Sequence, residues 1–183
     1  DIIDQEPNNT LSTAQNIGDN FSLNYSPDIG DSSSNTSESI PHITIIGTGD
    51  DSYDYYAFEV TTANSLAIFD IDYGVSDTGG MDSYLTLFDN NESILAENDD
   101  SYSGSGQDGS TSSLDSYLEY TFEQPGIYVI RVGRCCTSPI SDGSTYTLHV
   151  SLENAQSDSD EDGMPDLWEQ EFGLDNNNPE DAE

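Results

Sequence analysis

The sequence predicts an all-β fold, a jelly-roll-like antiparallel β-sandwich, followed by a short C-terminal loop and helix. Two observations support this prediction. Apolar residues make up only 33% of the 183 residues, yet they are gathered in short runs between stretches rich in Gly, Ser and Asp. Several runs alternate apolar and polar residues with a period of two, which is typical of half-buried antiparallel strands in a sandwich.

Eight segments have this strand character, and polar loops with turn-forming residues separate them. The alternation is clearest in the last segment, where Tyr146, Leu148 and Val150 share one face and Thr147 and His149 share the other. The predicted strands are 42–48, 55–60, 65–73, 84–88, 93–97, 116–123, 127–133 and 144–152.

Both ends of the chain depart from the strand pattern. Residues 10–17 have the character of a turn of helix, and the composition changes after Leu152 to an acidic, Asn-rich tail. We therefore predict a sandwich over 1–154 and a separate segment over 155–183. The start at Asp1 shows no signal-peptide pattern, and we expect a mature or trimmed boundary there.

Charge excludes several classes of function. The chain has 37 acidic residues and 2 basic ones, for a net charge of −35. Such a chain cannot neutralise phosphates, so nucleic acid and anionic membranes are not expected partners. It also lacks an apolar run long enough for membrane insertion. Dense carboxylates repel one another, and either bound divalent cations or a solvated acidic surface of a salt-adapted organism accounts for them.

The C-terminal segment contains a twelve-residue loop that fits the EF-hand pattern for calcium. Acidic residues occupy its first, third and fifth positions, and Gly163 stands where the sharp turn needs an unhindered backbone. A short helix ending at Gly173 follows. Pro165 and the missing entering helix argue against a paired regulatory EF-hand. The predicted calcium ligands are Asp158, Asp160, Asp162, the carbonyl of Met164, Asp166 and Glu169.

The residues after this loop run Gly173-Leu-Asp175-Asn-Asn177-Asn-Pro179-Glu-Asp181-Ala. With the loop, they resemble the thrombospondin type 3-like repeats of bacterial secreted proteins. The resemblance implies a rigid, calcium-loaded linker that joins the sandwich to neighbouring domains of the same polypeptide.

Several short motifs occur in a fixed order along the sandwich. They are Glu6-Pro7-Asn8-Asn9-Thr10, Asp54-Tyr55-Tyr56-Ala57-Phe58, Asp82-Ser83-Tyr84-Leu85, Asn98-Asp99-Asp100, Asp115-Ser116-Tyr117-Leu118 and Pro125-Gly126-Ile127-Tyr128. Their order and spacing resemble the bacterial pre-peptidase C-terminal domain across residues 1–152. That resemblance implies a jelly-roll-like sandwich attached to a secreted or cell-surface exoenzyme or adhesin.

The same resemblance implies a calcium site at the N-terminal segment. Such an ion would pin the terminus to the sheet and neutralise converging carboxylates; alternatively, the segment simply starts a turn. The implied ligands are Asp4, Glu6, Asn8 and Asn9, with Asp51 and Asp54 from the loop before the second predicted strand.

A second acidic cluster is predicted from strand ends. Carboxylates at the ends of several predicted hairpins could converge at one rim of the sandwich, or they could be solvated loop acids that cap turns. The residues are Asp82, Asp99, Asp100 and Asp115, together with Asn98.

Catalytic motifs are lacking. Neither His42 nor His149 adjoins a nucleophile motif, and the GxSxG and HExxH patterns are missing. We expect no enzymatic activity.

A binding function is the alternative to a purely structural module. Eleven tyrosines are present, and some could form a flat platform on the outer strand faces for a polysaccharide or an extracellular-matrix protein such as collagen. The more common situation is that such tyrosines belong to the core or an edge. The candidates are Tyr55, Tyr84, Tyr102 and Tyr117.

The two cysteines, Cys135 and Cys136, are adjacent. A vicinal disulfide, two free thiols and an intermolecular bridge all fit this spacing. Taken together, the sequence predicts a calcium-binding, non-catalytic accessory module of a secreted bacterial protein.

Overall fold

The structure is a computed structural model that describes residues 1–29, 37–73, 81–101, 112–155 and 178. Within these residues it has ten strands and two short 3-10 helices, the latter at Leu11–Thr13 and Gly18–Asn20. The strands are β1 (Ile2–Ile3), β2 (Gln15–Asn16), β3 (His42–Thr48), β4 (Asp54–Val60), β5 (Ser65–Tyr73), β6 (Ser83–Phe88), β7 (Ile94–Asn98), β8 (Tyr117–Phe122), β9 (Gly126–Arg134) and β10 (Thr145–Leu152).

The strands form two five-stranded sheets. Sheet A has the order β1-β3-β10-β5-β8, and sheet B has the order β2-β4-β9-β6-β7. The long strands pair antiparallel, whereas β1 and β2 pair parallel to β3 and β4. The predicted all-β sandwich is confirmed. Within the described part of the chain, no helix has the length and apolarity to cross a bilayer.

Aromatic packing between the sheets centres on Phe58 of β4. Its ring lies 5.6 Å from that of Phe69 and 5.9 Å from that of Phe122, centroid to centroid. All three side chains are at most 1% exposed. Burying side chains of this size is worth about 2–3 kcal/mol each, so this group is a main contributor to the stability of the sandwich.

β10 obeys the predicted alternation but is buried on both faces. Leu148 and Val150 point into the core at 0% exposure, and His149 and Ser151 on the other face are only 2% exposed. The prediction of a half-buried strand is therefore wrong for residues 148–152 of β10, which are buried on both faces. The polar face can be buried because its groups are hydrogen-bonded, as described for His149 below.

The N-terminal segment (residues 1–16) crosses from sheet A to sheet B. It enters through β1 beside β3 and leaves through β2 beside β4. Gln15 closes the crossing, since its side chain accepts from the Gln5 amide at 2.9 Å and donates to the Ile3 carbonyl at 3.2 Å. The predicted helical turn is a 3-10 helix that begins after Thr10.

Three sequence predictions fall outside the described residues. They are the calcium loop at 158–169, the tail that follows it, and the platform residue Tyr102.

Candidate metal centre

Three carboxylates converge where the N-terminal segment passes the start of β4. One oxygen each from Asp4, Glu6 and Asp54 lies within 4.8 Å of the other two. Backbone hydrogen bonds fix both sides of the group. The Asp4 amide donates to the Ile46 carbonyl of β3 at 3.1 Å, and the Tyr55 amide of β4 donates to the Asn8 carbonyl at 3.0 Å.

Two buried tyrosines hold these carboxylates from behind. Tyr146 of sheet A donates to Asp54 Oδ2 at 2.6 Å, and Tyr56 of sheet B donates to Asp4 Oδ1 at 2.9 Å. The two hydroxyl oxygens also lie within hydrogen-bond distance of each other. Asn8 Nδ2 is a second donor to Asp4 Oδ1, at 2.6 Å. The arrangement orients the acids, and neither tyrosine was predicted from the sequence to belong to the site.

Two oxygens in this group lack hydrogen-bond partners among the described residues. They are Asp54 Oδ1 and Asn8 Oδ1, and both side chains belong to residues that are 0% exposed. Leaving a buried acceptor unsatisfied costs about 1–3 kcal/mol, and more for a charged group. A cation ligated by these oxygens would remove that cost.

The electrostatics of the cluster also favour a cation. Burial raises the pKa of Asp54 to about 7, against the lowering effect of the Tyr146 hydrogen bond and with further raising by the nearby acids Asp4, Glu6 and Asp50. Burial likewise raises the pKa values of Asp4 and Glu6. The group therefore resists ionisation as long as no positive charge compensates it.

The other predicted ligands of this site have different positions. Asn9 Oδ1 accepts from the Asn8 amide at 3.0 Å, beside the cluster. Asp51 lies in a left-handed turn, and its Oδ1 accepts from the Asp142 amide at 3.1 Å. Its neighbour Asp50, which sequence analysis omitted, is the acid whose charge acts on the cluster.

Of the second predicted cluster, Asp82 and Asp99 come together, and Cys135 joins them within 4.8 Å. Asp100 acts on Asp99 through its charge. Asp115 is 0% exposed, and its Oδ2 accepts from the Ser112 amide at 3.0 Å. Asn98 Oδ1 accepts from the Tyr117 amide at 3.0 Å, which ties the end of β7 to the start of β8.

The three candidate platform tyrosines that the structure describes belong to two different sheets. Tyr55 and Tyr84 alternate with core residues of β4 and β6, so both lie on the outer face of sheet B. Tyr117 belongs to β8 of sheet A, where its hydroxyl donates to Glu119 Oε1 at 2.7 Å. Tyr117 therefore does not share the outer face of sheet B with Tyr55 and Tyr84.

His149 cross-links three neighbouring strands of sheet A. Its Nδ1 lies 2.9 Å from Thr44 Oγ1 of β3, and its Nε2 lies 3.0 Å from Asp72 Oδ2 of β5. Sequence alternation placed His149 on the polar face, but its partners are distant in sequence and could not be inferred from it.

Comparisons with known proteins give structural likenesses at low sequence identity. No family model matches the chain, and no curated protein matches it in sequence. The pre-peptidase C-terminal domain of a collagenase from Bacillus anthracis is similar at 16% identity and a TM-score of 0.38, over 63% of this chain and 90% of that one. PliG of Aeromonas hydrophila, a periplasmic inhibitor of g-type lysozyme, is similar at 15% identity and a TM-score of 0.34, over 61% of this chain and 84% of that one. At these TM-scores neither likeness assigns the chain to a family.

Proposed function

We propose that this chain is a non-catalytic, calcium-binding accessory module of a secreted bacterial multidomain protein. Calcium at Asp4, Glu6 and Asp54 fastens the N-terminal segment to the sandwich. The supporting observation is the pair of buried oxygens without hydrogen-bond partners, Asp54 Oδ1 and Asn8 Oδ1, beside three converging carboxylates.

The chemistry of the donors favours calcium over other ions. Every candidate ligand is a carboxylate or amide oxygen, and hard oxygen donors in flexible number suit calcium. The ligands come from the N-terminal segment and from the start of β4, so the bound ion joins parts of the chain that are about fifty residues apart in sequence. An ion at ten times its dissociation constant adds about 1.4 kcal/mol of stability.

Calcium at this position is also consistent with a module that links domains. The predicted loop at 158–169 would supply a second calcium position, after the C-terminal end of the sandwich in the sequence. Together the two positions would order both ends of the module, and extracellular calcium would keep the connections to neighbouring domains stiff.

The test is calorimetric titration of metal-stripped protein with calcium. Glu169→Gln serves as the background, because it removes the closing ligand of the predicted C-terminal loop. We expect this variant to bind calcium, and we expect Asp54→Asn in the same background to lose one site or to weaken it by at least about tenfold.

Asp19→Asn in the same background is the matched control, since Asp19 is exposed in the 3-10 helix Gly18–Asn20. It removes one acid without touching the cluster. Identical isotherms for Asp54→Asn and Asp19→Asn would refute calcium binding at this site.

A further inference from the structure

A second group of potential ligands lies at one rim of sheet B. β6 lies between β9 and β7 and runs antiparallel to both. The residue before β6 therefore meets the residues that follow β7 and β9. These three residues are Asp82, Asp99 and Cys135, and one ligand atom of each lies within 4.8 Å of the other two.

The backbone holds this group in place. The Cys135 amide donates to the Asp82 carbonyl at 2.7 Å, so the two residues are fixed directly to each other. Cys135 begins a tight turn that is closed by two hydrogen bonds between Arg134 and Ser138, at 2.8 and 3.1 Å. Because the ligands follow directly from strand ends, their spacing is set by the sheet.

Two oxygens of the group are unsatisfied within the described residues. Asp82 Oδ1 and Asp99 Oδ1 are buried atoms without a hydrogen-bond partner. Within the described residues, no arginine forms an ion pair with either of these two acids. Two neighbouring carboxylates with buried, unpaired oxygens are costly unless a cation binds between them.

The sulfur atom distinguishes this group from the oxygen-only cluster at Asp4. The protonated thiol can donate to a carboxylate but does not bind calcium, which takes oxygen ligands. A metal with affinity for sulfur displaces the thiol proton on binding.

We propose that Asp82, Asp99 and Cys135 form a site for a thiophilic divalent cation, zinc in particular. Two carboxylate oxygens and one thiolate supply three protein ligands, and a water molecule completes the tetrahedron that zinc prefers. Cys136 is exposed and has a left-handed backbone (φ 65°), and it is not among the three residues whose ligand atoms converge, so it is not a required ligand. This site is separate from the proposed calcium site and does not depend on it.

The test uses the full chain, reduced and stripped of metal, in saturating calcium. Cadmium is the probe, because a cadmium–thiolate bond gives an ultraviolet charge-transfer band that carboxylate ligation does not. We expect one equivalent of cadmium to produce this band and zinc to abolish it by displacement. Since calcium is saturating, the result is independent of whether calcium binds at Asp4, Glu6 and Asp54.

Adjacent cysteines provide the matched variants. Cys135→Ser should lose the band, and Cys136→Ser should keep it. Asp99→Asn should weaken cadmium binding by at least about tenfold, which tests the site without altering either thiol. The melting temperature of each variant in calcium shows that it is folded; if Cys135→Ser fails to fold, Asp99→Asn and Cys136→Ser decide the matter.

Three results would overturn the proposal. The first is the absence of a charge-transfer band in the reduced protein. The second is a band that persists in Cys135→Ser but is lost in Cys136→Ser. The third is unchanged cadmium affinity in Asp99→Asn.

Discussion

The hydroxyl of Tyr146, on sheet A, donates to Asp54 Oδ2, on sheet B, at 2.6 Å. This bond crosses the sandwich interior and ends on a residue of the candidate calcium site. The position of a proposed metal ligand in one sheet is therefore set by a side chain of the other. Binding at the site and the packing of the two sheets should consequently depend on each other.

Tyr146→Phe tests this dependence. The substitution keeps the ring in the core but removes the donor to Asp54, so that carboxylate is no longer held in position. We expect calcium affinity to fall by about tenfold and the free energy of unfolding to fall by about 1–2 kcal/mol. Calcium titration and urea unfolding measure the two effects.

The control is Tyr128→Phe. The Tyr128 hydroxyl donates to the Gln124 carbonyl at 2.8 Å, in an exposed hydrogen bond away from the site. The substitution should leave calcium affinity unchanged. Equal affinities for the two variants would contradict a positioning role for Tyr146.

The pH dependence of stability should reverse sign with calcium. The pKa of Asp54 rises from its ordinary 3.8 to about 7 in the folded protein, mainly because of burial. Between these values the folded state holds more protons than the unfolded state, so the free energy of unfolding of metal-free protein falls as pH rises from about 4 to 7. With calcium, protons compete for the ligands, and stability should rise over the same range.

Melting temperatures across this range, with and without calcium, measure the effect. Asp54→Asn should flatten part of the metal-free slope, whereas Asp19→Asn should not. A metal-free slope that is the same in both variants would show that Asp54 does not titrate as described.

Gly47→Ala should weaken calcium binding without altering any ligand. Gly47 of β3 pairs with Tyr146 of β10, and a Cβ atom at this position would overlap the tyrosine ring. The ring must move, which draws its hydroxyl away from Asp54. We expect a loss of about 1–3 kcal/mol in stability, together with reduced calcium affinity in titration.

Gly18→Ala is the comparison, because its added Cβ would lie 3.3 Å from the Asn16 side chain and 4.0 Å from the Glu59 amide nitrogen, without overlap. Wild-type calcium affinity in Gly47→Ala would mean that the Tyr146 ring does not control the site.

The predicted C-terminal loop can be followed by its own signal. Trp168 is the only tryptophan of the chain and precedes the predicted ligand Glu169. We expect calcium to change its fluorescence, and Glu169→Gln to abolish that change while calorimetry still detects binding at the N-terminal site. A fluorescence response that survives Glu169→Gln but disappears in Asp54→Asn would place the sensed ion elsewhere.

Sequence patterns predicted the strands well because alternation is a local property. Each of the eight predicted strands is present, and 42–48 and 65–73 have the predicted bounds. The two-residue strands β1 and β2 were missed, because so short a segment has no period to detect. Their pairing depends on neighbours that lie about forty residues away.

Some site residues could likewise be predicted from local sequence, and others could not. Asp4, Glu6 and Asp54 were implied by short motifs in a recognisable order, and the structure brings them together. Tyr146 could not be found, since it meets Asp54 across 92 residues of sequence and a sheet boundary. Cys135 did have a signal, namely its position two residues after the predicted strand 127–133, but only the order β9-β6-β7 places it beside Asp82 and Asp99.

The N-terminal segment also covers sheet edges through which two copies of the chain could pair. β1 and β2 are the outermost strands beside β3 and β4, and each is only two residues long. Detaching them would uncover the residues of β3 and β4 with which they pair, and the free amides and carbonyls of an exposed strand edge can template pairing with another chain. An ion that secures this crossing would thus act against polymerisation, and protein deprived of calcium should assemble edge to edge before it unfolds.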